Sequence, residues 1–65
     1  MTDQKDIYRA AQLYINRFGA KAEQEALAKM QFFMDDEDLA AASAWLMIAQ
    51  AVKELQQTST SAAVH

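Results

Sequence analysis

Cysteine and proline are both missing from this 65-residue chain, and glycine and histidine occur once each, at Gly19 and His65. Without cysteine there is no disulfide framework, no thiolate zinc site and no thiol nucleophile, a composition compatible with a reducing compartment. With no proline and one glycine, strong punctuation is confined to Gly19 and to the run Asp35-Asp36-Glu37-Asp38. A single histidine at the last position, in a polar tail, leaves Ser43 and the other hydroxyls without a base for nucleophilic chemistry. Nor is there a glycine-rich phosphate loop. The chain is therefore expected to be no enzyme, with no catalytic residue, cofactor or metal ligand nominated.

An excess of positive charge is also lacking. Six Lys and Arg stand against nine Asp and Glu, for a net charge of −3, which opposes the phosphate neutralisation that drives most nucleic-acid binding. Lys5, Arg9, Arg17, Lys21, Lys29 and Lys53 are spread along the chain, and no basic stripe forms. Long apolar runs are absent as well. The uncharged stretch from Leu39 to Val52 is shorter than the ~20 residues a bilayer span requires and contains Ser43 and Gln50. Lysine and arginine are missing from its polar side, where an interfacial helix would carry them. The first residues, Met1-Thr2-Asp3-Gln4-Lys5-Asp6, lack the basic-then-apolar order of a signal peptide. No membrane partner and a cytoplasmic location are the expectations.

What is present is helical periodicity. Two breaks divide the chain into three expected helices, making an all-α, compact three-helix domain over residues 1–57. The first helix is predicted over about 3–18, with Ile7, Ala11, Tyr14 and Phe18 at helical spacing and Tyr8, Ala10 and Ile15 widening the stripe. Thr2 or Asp3 can cap it, and Gly19 can take the left-handed position that ends it. The second, about 20–34, places Ala22, Ala26, Leu27, Met30, Phe33 and Met34 on one side. It has no good capping residue before it, so its start is the softest boundary. The third, about 38–57, carries Ala41, Trp45, Ile48, Val52 and Leu55 as its main stripe, with Ala44 and Ala51 alongside. Residues 58–65, small and polar without helical period, are expected to form a flexible C-terminal tail.

The core expected from these phases is Ile7, Ala11, Tyr14, Phe18, Leu27, Met30, Phe33, Trp45, Ile48, Val52 and Leu55. Trp45 could anchor a binding site, since tryptophan is enriched there, but its phase with Ile48 and Val52 makes it a core residue. Consecutive carboxylates could hold a cation. A calcium loop, however, alternates its ligands around a glycine turn, and four acids in a row point in different directions. The run Asp35–Asp38 is better explained as the stop of one helix and the start of the next, with Asp38 as cap.

One apolar set is left over. Leu39 and Leu46, seven residues apart, line up about a hundred degrees from Trp45, Met47 lies farther round, and Phe32 falls on the polar side of its helix. Leu13 joins them less clearly. Isolated surface hydrophobes are ordinary, but a contiguous set marks a surface for another chain. A 65-residue domain whose apolar half includes 14 alanines also needs extra burial. The functional expectation is a non-enzymatic protein–protein interaction module, a homodimer or partner-docking protein through Phe32, Leu39, Leu46 and Met47. The alternative is a nucleic-acid-related regulator, either a helix-turn-helix reader or an acidic DNA mimic.

The pattern Ile7-Tyr8-Arg9-Ala10-Ala11, Ile15, Gly19, Ala22, then Asp38, Trp45, Ile48, Ala51-Val52 and Glu54-Leu55 resembles that of small uncharacterised helical bacterial proteins. The resemblance covers most of residues 7 to 55 and implies the helical plan and the Asp38 cap, but no activity. In that pattern the second break reads Gly-Asp, and basic residues follow the tryptophan. Here Glu37 stands in place of the glycine, where a left-handed conformation would cost about 1 kcal/mol, so a turn of a different build is expected. Leu46 and Met47 replace the basic residues, so this chain is expected to bury a face that others leave in water.

Overall fold

The computed structural model describes the backbone of residues 4–64 and the side chains as far as Gln57. Every regular element among them is helical: α1, Gln4–Phe18; a 3₁₀ turn, Gly19–Lys21; α2, Ala22–Asp35; and α3, Leu39–Val64. The expected cap at Thr2 or Asp3, and His65, lie outside the described residues.

The three-helix expectation rested on two equal breaks, and the breaks are unequal. No loop separates Phe18 from Ala22: the 3₁₀ turn joins α1 directly to α2, so residues 4–35 form one helical run, bent at that turn, and 39–64 form a second. The bend is made by Gly19, whose φ of 59° is open to a residue without Cβ. Its carbonyl accepts a 2.8 Å hydrogen bond from Gln56 Nε2, tying the bend to α3. With the turn occupying Gly19–Lys21, α2 begins at Ala22, two residues later than expected. Lys21 precedes it without a side-chain cap, and Glu23 and Glu25 in the first turn meet the positive end of the helix dipole instead.

The second break is a built motif. Asp38 N–H donates to Phe33 O at 2.9 Å and Glu37 N–H to Met34 O at 3.0 Å, the paired bonds of a Schellman stop. Such a stop needs a left-handed residue between them, and Glu37 fills that place with φ 61°. The different turn expected from the missing glycine is therefore not formed, because the hydrogen bonds and the next helix's start hold a strained glutamate in the glycine conformation. Asp38 then opens α3. Its Oδ1 accepts from Ala41 N–H at 3.2 Å, and its carbonyl takes the first helical bond, from Ala42 at 3.0 Å. One residue thus closes the stop of α2 and caps α3. Beyond Gln57, where a helix end was expected, α3 continues to Val64, since no glycine or proline follows to interrupt its ladder.

Both α1 and α2 pack on α3 and touch each other. At their junction the buried side chains are mostly small: Ile7 and Ala11 from α1, Ala22 and Ala26 from α2, and Ile48, Ala49, Ala51 and Val52 from α3. Alanine contributes little area of its own but lets helix backbones approach closely. Val52 is the largest fully buried side chain. Half-buried Tyr8, Tyr14, Ile15, Phe18, Trp45 and Leu55 pack round this seam, with Tyr14 5.0 Å from Phe18 and 5.3 Å from Trp45 between ring centres. Met30 and Phe33 are also half-buried.

Leu27 corrects the expected core, since it is 36% exposed. The stripe of α2 that faces inward is Ala22, Ala26, Met30 and Phe33. Leu27 stands about 100° round from Ala26, at an edge that the close alanine contact does not reach. Met34, on the same edge, is exposed too.

Candidate functional site

One side of α3 is left uncovered by α1 and α2. Ala42, Ile48, Ala49, Ala51 and Val52 turn inward, while Leu39, Ala40, Ser43, Leu46, Met47 and Gln50 face water. Leu39 is 68% exposed, Leu46 40% and Met47 50%; Phe32, near the end of α2, is 63% exposed. The structure thus puts all four candidate interface residues on the surface, three of them along one helix face.

The face carries no charge between Asp38 and Lys53. Its N-terminal end is bounded by four exposed acids and its C-terminal end by Lys53 and Glu54. Glu54 is already engaged, accepting a 3.0 Å hydrogen bond from the Tyr8 hydroxyl of α1. That bond, with the nearby carboxylate charge, raises the Tyr8 pKa above its ordinary value of 10.0. At the other end Asp35 Oδ1 accepts from Gln31 Nε2 at 3.0 Å, one helical turn back, and Asp38 Oδ1 is taken by its cap. Two of the four acids, Asp35 and Asp38, are thus each used by their own helix. Among the described residues no three acidic or histidine side chains are grouped to hold an ion, and no polar or charged side chain is buried.

Leu13 is 63% exposed but lies on the opposite face of α1, among Arg9, Asn16 and Arg17, and so does not extend the α3 face. Arg17 reaches over the Phe18 ring instead, its guanidinium carbon 6.0 Å from the centroid. Two features escaped the sequence reading. The Tyr8–Glu54 and Gln56–Gly19 ties join residues 46 and 37 positions apart, and no local pattern signals such pairs. Met34 as a surface residue required the actual phase of α2. No described helix is long and apolar enough to cross a membrane. Compared with protein-family models, with curated proteins and with solved structures, the chain matches none.

Proposed function

We propose that this chain is a non-enzymatic protein–protein interaction module that forms a homodimer through the face carrying Leu39, Leu46 and Met47, with Phe32 beside it. The observation that carries this reading is the exposure of these four large apolar side chains, three of them on a helix face without a charge for fourteen residues. Apolar surface gathered on one face of a small domain marks association when it forms a patch. The alanine-built core points the same way, because a domain this small with so few large buried side chains gains from burying more. An isologous pairing needs no second gene product and is the commonest assembly. The nucleic-acid alternative draws no support from the six basic residues, which are scattered over α1, the turn, α2 and α3.

Light scattering on the eluting protein tests the proposal. Wild-type mass should rise toward the dimer with loading concentration, and Leu46→Glu should stay monomeric with its helical circular dichroism unchanged. A wild-type chain that stays monomeric at high concentration would sink the proposal.

A further inference from the structure

The exposed face of α3 is organised in a way that selects the geometry of a second copy, an inference that rests on the dimer reading just given. Leu39, Leu46 and Lys53 repeat every seven residues, and Ser43, Gln50 and Gln57 follow each of them by four, which makes a straight seam along one side of a helix. All six are exposed. The seam is electrically asymmetric, with Asp35-Asp36-Glu37-Asp38 before its first leucine and Lys53 at its far end. Two parallel copies would set acids against acids and lysine against lysine. Two antiparallel copies set each lysine against the other's acids.

We propose that α3 packs on α3 of a second copy in antiparallel fashion, with Leu46 at the two-fold axis and Lys53 of each chain reaching the partner's Asp36–Asp38 connector. The register follows from the spacing. With Leu46 opposite itself, Leu39 lies opposite Lys53, and Ser43 falls close to Gln50. The aliphatic stem of Lys53 then covers Leu39 while its ammonium extends to the carboxylates just beyond. Handedness agrees as well. In a two-fold antiparallel pair each flank of a helix meets the same flank of its partner. Counting about 100° per residue, Asp38 and Lys53 fall on one flank of the seam and Glu54 on the other. Glu54 therefore does not confront the acidic connector, and it is held on its own side by Tyr8. The strip between Asp38 and Gln57 is about 28 Å long and one helix wide. That is smaller than a standard interface of about 800 Å² per partner, so the dimer is a weak, reversible one.

Because the chain has no cysteine, single cysteines report this geometry directly. Under a mild oxidant, Leu46→Cys should form a disulfide-linked dimer. Gln57→Cys, about 33 Å from its counterpart in the proposed pair, should not. Charge exchange gives an independent readout: Lys53→Glu should weaken dimerisation roughly tenfold, the contact occurring twice per dimer, and adding Asp36→Lys should recover most of the loss. A dimer in which Gln57→Cys links as readily as Leu46→Cys overturns the antiparallel arrangement while leaving self-association standing. A dimer that links at neither position overturns the choice of face, and a wild-type chain that never dimerises overturns both.

Discussion

Replacing Glu37 with glycine should stabilise the protein, although it deletes a whole side chain. Glu37 sits at φ 61°, where an L-residue is strained by roughly 1–2 kcal/mol because its Cβ crowds the following carbonyl. Glycine removes that strain but enlarges the entropy of the unfolded chain, which returns roughly 0.5–1 kcal/mol. The charge is nearly neutral in the balance, being adverse to the C-terminus of α2 and favourable to the N-terminus of α3. A net gain of about 0.5–1 kcal/mol follows, or an increase in Tm of about 3–6 °C for a domain of this size. Thermal and urea unfolding followed by circular dichroism, at one fixed protein concentration, measures it. Gly19→Ala is the matched control. Gly19 has φ +59°, and a Cβ there would meet nothing within 4 Å, so any loss, expected near 1 kcal/mol, comes from backbone conformation alone. If Glu37→Gly leaves stability unchanged or lowers it while Gly19→Ala is destabilising, the description of the second turn as a strained Schellman stop is wrong.

Other outcomes follow from the same geometry. Asp38→Ala removes the bond to Ala41 N–H and should lower unfolding free energy by about 1 kcal/mol, with Asp38→Asn retaining most of it, as denaturant titration would reveal. Val52→Ala, at a fully buried site, should cost about 2–3 kcal/mol, whereas Leu27→Ala on the exposed edge of α2 should cost well under half as much. The Tyr8 pKa is raised in the folded state, so the bond to Glu54 stabilises fully below the unfolded tyrosine value of about 10 and is lost as pH rises through the folded value. Tyr8→Phe should therefore show a shallower loss of stability than wild type in alkaline buffer, in unfolding measured across that range.

The all-helical plan was legible because each helix keeps a 3.6-residue apolar period and because a lone glycine stands out in a chain without proline. The details that were not legible have physical reasons. Glu37 hides a turn that glycine would have announced, since the strain is imposed by flanking hydrogen bonds and not by the residue's own preference. Ala42 and Ala49 were passed over for the core because apolar size was the guide, while close helix contact selects small residues. Leu27 was misplaced for the converse reason, a large side chain displaced to the rim of an alanine seam. The break at Gly19 was visible, but nothing local distinguishes a loop between two helices from a 3₁₀ bend within one helical run. The candidate surface was the most readable part of the sequence. In α3 the positions of Leu39, Leu46 and Met47 against Trp45, Ile48 and Val52 set their direction by helical geometry alone.

Sedimentation equilibrium of the wild-type chain and of Leu46→Glu, at several concentrations, tests the self-association reading most directly. The chain mass is 7.3 kDa. The wild type should move reversibly toward twice that value as concentration rises, and the variant should stay at the single-chain mass with helicity intact. A wild type fixed at 7.3 kDa up to high micromolar concentration, or a Leu46→Glu variant that dimerises as well as its parent, would contradict the account.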